Sequence, residues 1–289
     1  MMPSHVGRYE LVRLLGRGAS GSVFEAVDPD HDEHVALKIL DGEAHAKGWP
    51  ESLRKLSAST HPSLLRIRAL FPDATPPHYV MTLVEGPNLL AYIRSHAGKG
   101  QQRKVGGSPA MLLLGAQVNE DGCSDFSSCG AEGFRRARQT TLQLCQALDH
   151  MHALGLVHGD VRPDNVRVTA DRAVLLDYGL SRDLSSELDV GAPVGTVAYM
   201  APEQWRAASI SPATDFYALG VTLFESLTGA LPFVGSADDV FLRKRSVGAP
   251  APSFFLEGIP DDLDRLCADL MRTSPEHRPS AQAIQARIS

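Results

Sequence analysis

Cysteine is scarce in this chain: four in 289 residues (Cys123, Cys129, Cys145 and Cys267), with no Cys-x-x-Cys pair. That usage argues against a disulfide scaffold and points to reduced thiols. Cys123 and Cys129 lie in a Gly/Ser-rich stretch, which leaves open a local disulfide or a share in a metal site, although no His or third Cys stands beside them. A strong charge of either sign is also missing. Lys+Arg 28 against Asp+Glu 34 leaves −6, with no long basic run, which argues against a nucleic-acid-binding surface. Long hydrophobic runs are absent, and the longest, around residues 111–114, is far too short to span a bilayer. The opening Met1-Met2-Pro3-Ser4-His5 lacks the charged-then-apolar order of a signal peptide. A cytoplasmic location is therefore expected, whether the chain stands alone or is a segment of a longer protein.

The hydrophobic content of 43% is enough for substantial cores, in one large domain or in two lobes around a cleft. The first forty residues alternate apolar and polar, so 9–15, 23–28 and 34–40 are expected as strands of an antiparallel meander, with Asp28-Pro29-Asp30 as a turn. Residues 51–59 read as a short helix, and 64–70 and 78–84 as two further strands. Beyond about residue 88 the pattern becomes helical. Residues 134–154 carry a broad apolar face (Leu142, Cys145, Leu148, Met151). Residues 215–227 are apolar almost all round, the pattern of a helix buried on every side. Shorter helices are expected near 237–245, 261–271 and 280–288. Residues 97–133, rich in Gly and Ser, fit no element and read as an inserted surface loop, which is also a candidate docking element for a partner.

Several motifs punctuate this framework. Gly16-x-Gly18-x-x-Gly21-x-Val23 lies between two expected strands, where a hairpin flap could bring backbone N–H groups close to phosphates. The same spacing between a strand and a helix would instead suggest a dinucleotide site. Val35-Ala36-Leu37-Lys38 follows, with a lysine inside an apolar strand that is costly to bury unless paired. Much later come His158-Gly159-Asp160-Val161-Arg162-Pro163-Asp164-Asn165, Asp177-Tyr178-Gly179, Gly195-Thr196, Ala201-Pro202-Glu203 and Glu276-His277-Arg278-Pro279.

In this order and spacing the motifs resemble those of a protein kinase, most closely the bacterial Ser/Thr kinases. The resemblance covers about residues 8–288. It implies an α+β, two-lobed fold: a small antiparallel five-stranded lobe with one helix at 8–86, and a larger, mainly helical lobe at 87–288, together one domain. It further implies ATP and Mg²⁺ as cofactors and a Ser or Thr of a protein as acceptor. Asp160 would accept or orient the hydroxyl proton, with Lys38, Arg162, Asn165, Asp177 and Thr196 completing the catalytic set. Asn165 and Asp177 would hold the metal, whose preference is for hard oxygen ligands. The nucleotide would lie among Leu15, Gly16, Gly18, Gly21, Val23, Ala36, Lys38, Met81 and Val84. His158 would brace the loop, Asp215 would anchor its backbone, and Glu203 would pair with Arg278.

The chain departs from the family pattern at four points. The glutamate expected to orient Lys38 falls near Ser52, with Glu51 one residue away and Glu43 as the alternative. Gly159 replaces the arginine that gathers a phosphorylated activation loop, which predicts weak dependence on phosphorylation at Ser181, Ser185 or Ser186. Arg162 stands where Ser/Thr kinases mostly have lysine, and its planar, longer head implies reduced rather than absent transfer. Tyr178 replaces phenylalanine and adds a hydroxyl that needs a partner. Two rival functions follow. One is a pseudokinase that binds nucleotide as a scaffold. The other is a small-molecule phosphotransferase, because His-Gly-Asp with Asn five residues on also resembles the aminoglycoside and choline kinase loop.

Overall fold

Side-chain alternation makes the first forty residues a sheet. The computed structural model describes residues 4–18, 21–40, 51–95, 127–178, 181–183, 197–206 and 210–288. In it β1 (His5–Val6), β2 (Tyr9–Gly18), β3 (Gly21–Asp28), β4 (Glu33–Leu40), β5 (Ile67–Phe71) and β6 (His78–Thr82) form one antiparallel sheet. Its order is β1-β2-β3-β4-β6-β5. The five expected strands are all present, and β1 is a sixth, joined to β2 through Val6 opposite Tyr9.

Period two along β4 sorts its residues between two cores. Val35 and Leu37 pack with Val6, Tyr9, Ala26 and Val80 on the outer face. Ala36 and Leu40 turn inward to a core shared with the helices. Lys38 alternates with them and emerges on the inner face, only 2% exposed. Helix α1 (Glu51–Ser57) packs against β5 and buries Ser52, Leu53 and Leu56.

The second half is mainly helical. Asn88 caps α2 (Leu89–Arg94), its side chain accepting from Ala91 N at 2.8 Å. Helix α3 (Gly130–Ala153) leads through β7 (Leu156–Val157) into the hairpin of β8 (Val166–Thr169) and β9 (Arg172–Leu175). The short β10 (Arg182–Asp183) then pairs with β7. Helix α4 (Pro212–Thr228) starts at a capping box of Ser211 and Thr214 and is buried along nearly its whole length, as its all-round apolar pattern requires. It packs on α3 and on α6 (Asp261–Leu270). Helix α5 (Ala237–Ser246) lies against the 3-10 turn Pro202–Arg206, and α7 (Ala281–Ile288) against α3 and α6.

The 97–133 reading needs correction at its end. Helix α3 begins at Gly130, and Ser127 is fastened to the helical lobe. Ser127 N donates to Thr228 O at 2.6 Å, and Arg94 donates to Ser127 O at 3.1 Å. Residues 96–126 lie outside the described residues. Among the described residues Cys129 belongs to no metal-holding cluster and makes no disulfide. It is a free thiol, fully buried, and burial pushes it up to about 11. Cys145 and Cys267 are also free and buried, and Cys123 is outside the described residues. No helix among the described residues is long and apolar enough to cross a membrane.

Candidate active site

Between the sheet and the helical half lies a cleft of about 570 Å³. Seven of the nine expected nucleotide residues line it: Leu15, Gly16, Val23, Ala36, Lys38, Met81 and Val84. They come together because β2, β3, β4 and β6 turn the same face inward; Ala36 stands opposite Met81, and Val23 opposite Lys38. Gly18 and Gly21 do not line the cleft. They face each other at the end of the β2–β3 hairpin. Gly21 is required by packing: its φ is +138°, and a Cβ there would stand 2.0 Å from Ile39 O.

Sequence reasoning missed Leu65, Tyr79, Leu176 and Asp164 among the lining residues. Leu176 immediately precedes Asp177 and was legible from that adjacency. Leu65 falls within the strand expected at 64–70, but β5 starts only at Ile67 and Leu65 lies ahead of it.

Among the described residues Lys38 meets no helix glutamate. Its Nζ donates to Asp177 Oδ1 at 2.7 Å. Glu51, the expected partner, is exposed at the first position of α1 and pairs with Arg54 at 3.6 Å. The position facing inward from α1 belongs to Ser52, whose hydroxyl donates to Ser181 O at 3.4 Å. Helical periodicity explains the difference: one residue of shift rotates a side chain by about 100° and carries Glu51 away from the core. Glu43 is outside the described residues. Asp177 holds φ at +55°, a left-handed conformation that Asp tolerates better than most side chains and that recurs at functional sites.

The catalytic loop is built around Asp215, which is 1% exposed near the start of α4. Its carboxylate accepts from His158 N (2.9 Å), Gly159 N (2.8 Å) and His152 Nε2 (2.8 Å). The backbone bonds were expected; His152 was missed. Gly159 has φ +79°, so glycine here relieves a backbone constraint as well as removing the arginine charge. His158 is fully buried. It accepts from Asp160 N at Nδ1 (3.2 Å) and donates from Nε2 to Leu176 O (2.9 Å), bracing the loop against the strip that carries Asp177.

Asn165 spends both amide hydrogens on Asp160, donating to its O at 2.8 Å and its Oδ2 at 2.7 Å. That orients the side-chain Oδ1 of Asn165 away from Asp160, with no donor to it among the described residues, while the backbone oxygen accepts from Leu176 N at 2.7 Å. Arg162 turns to Asp164, with which it forms an ion pair, and its guanidinium lies 5.8 Å from the Tyr199 ring centroid. Burial works against its charge, but the bond to Asp164 outweighs it and the pKa is raised. Tyr178 is buried, and its hydroxyl donates to Leu65 O at 2.8 Å, supplying the partner the sequence required.

The segment after Thr196, which itself is outside the described residues, is held from below. Tyr199 OH donates to Glu225 Oε2 at 2.5 Å, and burial raises the pKa of that carboxyl. Arg278, its side chain fully buried, forms two parallel bonds with Glu203 at 2.6 and 2.8 Å. Asp160 adjoins Tyr199, Met200 and Gln204 across a small cavity, so the catalytic loop and this segment share a wall.

The comparisons agree with this architecture. Residues 9–287 match the family model described as "Protein kinase domain". Serine/threonine-protein kinase PknD of Mycobacterium tuberculosis is 32% identical over 281 residues, covering 95% of this chain and 38% of that protein. The DNA damage-responsive serine/threonine-protein kinase RqkA of Deinococcus radiodurans is 29% identical over 293 residues (98% and 39%). Serine/threonine-protein kinase PknB of Mycobacterium tuberculosis is 28% identical over 293 residues (96% and 41%). The chain spans 38–41% of the length of these curated relatives. With its cleft, its braced loop and a family match over nearly its entire length, the chain belongs to the protein kinase family.

Proposed function

We propose that this chain transfers the γ-phosphoryl group of ATP to Ser or Thr hydroxyls of a protein substrate. The observation that carries the reading is the pair of facing groups in one cleft: Lys38 bonded to Asp177, and Asn165 bonded through both amide hydrogens to Asp160. Asp160, next to the segment at Tyr199 and Met200, accepts or orients the proton of the attacking hydroxyl. Lys38 contacts the nucleotide phosphates, which compete with Asp177 for its three donors. Leu15, Val23, Ala36, Met81 and Val84 enclose the base, and Gly16, Gly18 and Gly21 shape the flap above it. Arg162 and Thr196 act on the side of the γ-phosphate and acceptor. Residues 8–86 and 87–288 serve as the two lobes of one domain, in the cytoplasm where ATP is available.

The donor set also fits Mg²⁺. The carbonyl oxygen of Asn165 and the carboxylate of Asp177 are hard oxygens beside the cleft, and Mg²⁺ is commonly held by one or two such groups together with substrate phosphates and water. When bound, the ion neutralises charge on the β- and γ-phosphates. Among the described residues no group of three His, Cys, Asp or Glu side chains is placed to hold a metal ion by itself.

A second reading, binding without turnover, draws on Arg162 being tied to Asp164 and on Ser52 standing where the helix glutamate is expected. Labelled ATP with Mg²⁺ and a generic basic protein separates the two. Transfer by the wild type that falls about 10²- to 10⁴-fold in Asp160→Ala supports the kinase. Nucleotide binding with no transfer from either protein would leave the scaffold reading standing.

A further inference from the structure

The least expected charge in the molecule is Lys244. The sequence Arg243-Lys244-Arg245 reads as a solvated basic face, yet Lys244 is 1% exposed. Its ammonium donates to Val197 O at 3.0 Å, Ala198 O at 2.8 Å and Met200 O at 2.7 Å. Three donors meet three carbonyls on one short stretch of chain. The rings of Tyr217 and Phe241 stand over the ammonium, with centroids at 5.4 and 5.6 Å. From the neighbouring segment, Thr273 donates its hydroxyl to Lys244 O at 3.1 Å.

The carbonyls belong to residues 197–200, the stretch between Thr196 and Ala201-Pro202-Glu203, on the far side of Asp160 from the nucleotide cleft. We propose that Lys244 is a positioning residue for the protein substrate, fixing the backbone of residues 197–200 and thereby setting peptide affinity, not ATP affinity. The inference rests on the protein kinase activity proposed above. An apolar side chain at this place would leave three buried carbonyls unpaired, so the strip would have to shift to find water or other donors. The ammonium lies inside the protein on helix α5, and α5 itself packs beneath the 3-10 turn that carries Glu203. The strip is therefore suspended from α5.

Among the described residues the charged and titratable groups around the ammonium are few. Glu203, from the 3-10 turn, is committed to Arg278. Tyr217, from α4, is kept neutral by burial. Asp239, Arg243 and Arg245 share α5 with it. Burial pushes Lys244 down to about 7, and Glu203 pulls it back only in part. Below that pH the ammonium supplies three donors. Above it the free amine supplies two and turns a lone pair toward the third carbonyl. Hold on the strip should therefore loosen as pH rises through 7.

The test is steady-state phosphorylation of a histidine-free basic Ser/Thr peptide by the full chain, from about pH 6 to about pH 8.5, with KM for peptide and for ATP measured separately. For the wild type, peptide KM should rise about fivefold across that range, the loss of roughly one hydrogen bond. Lys244→Met should raise peptide KM by about tenfold or more at the low end while ATP KM stays within about twofold. Lys244→Arg, charged at every pH, should bind peptide with a flat profile. Peptide KM unchanged in Lys244→Met, or an ATP KM that rises in step with it, overturns the inference. If Lys244→Met does not fold, the arginine variant decides, and a profile that tracks the wild type overturns it equally. Asp160→Ala serves as the reference. Normal transfer by Lys244→Met in an assay that Asp160→Ala silences defeats this inference alone, whereas transfer that survives Asp160→Ala defeats the proposed activity and this inference with it.

Discussion

The two walls of the cleft are held in different ways. On the sheet side the charged anchor is Lys38, whose bond crosses the cleft to Asp177, and α1 reaches the segment beyond Tyr178 through Ser52 and Ser181 O at 3.4 Å. On the helical side the anchors are internal. Asp215 accepts three bonds, Asn165 gives two to Asp160, Lys244 gives three, and Arg278 gives five, to Glu203 and to the carbonyls of Ala213, Arg272 and Thr273. The helical wall is thus held by bonds within itself, while Lys38 ties the sheet wall to the opposite side of the cleft. Groups that stabilise a transition state are best placed in advance of the reaction. On the proposed reading Asp160 and its orienting partner Asn165 are so placed, whereas Lys38 is bonded to Asp177 across the cleft.

Breaking each wall should therefore give a different signature. Lys38→Met is expected to cost about 10²-fold or more in transfer. Because Asp177 keeps nearly half of its side chain exposed to water, stability should fall by no more than about 1 kcal/mol. Unchanged turnover would remove Lys38 from the phosphate site. Arg278→Met should reverse that balance. Stranding the buried Glu203 should lower unfolding free energy by about 3–5 kcal/mol, visible in denaturant or thermal melts, and a shift under 1 kcal/mol would show that this ion pair carries little of the helical wall. Since Gly159 leaves no arginine to gather a phosphate, replacing Ser181, Ser185 and Ser186 together with Ala should leave most activity in place; a large loss in the same transfer assay would mean that phosphorylation is read by another group. Smallest of all is Glu51→Ala. With the side chain exposed beside Arg54, melts should move by less than about 0.5 kcal/mol and transfer should be unaltered, and a marked drop would return Glu51 to the Lys38 site.

What could be seen in the sequence follows the range of the forces involved. The loop from His158 to Asn165 is fixed by contacts within a few residues, so its spacing alone announced Asp160 and Asn165. Strands β2, β3, β4 and β6 and helix α4 were legible because one apolar pattern runs through each of them. The hairpin of β8 and β9 had a signal that went unused: Val166, Val168, Ala173 and Leu175 alternate about Ala170 and Asp171, and both of these turn residues have positive φ. The two-residue strands β1, β7 and β10 are too short to carry any period. Lys244 and His152 were illegible for a different cause. Lys244 sits in a basic run, His152 lies beside an apolar face and in no motif, and only the packing of α5 and of α3 on distant segments shows their partners. Glu51 failed for the converse reason: a nearby motif fixed its position along the chain but not its angle around the helix.

The hydroxyl of Tyr178 has a consequence for conformational equilibria. It closes a bond to Leu65 O that a phenylalanine could not make, and any rotation of this ring out of the core must break it. A buried bond of this kind is worth about 1 kcal/mol net, so it weights the packed arrangement over an everted one roughly fivefold relative to phenylalanine. Molecules that bind by capturing the everted ring would meet that weighting as lost affinity, and Tyr178→Phe would restore it while leaving every side chain that lines the cleft in place.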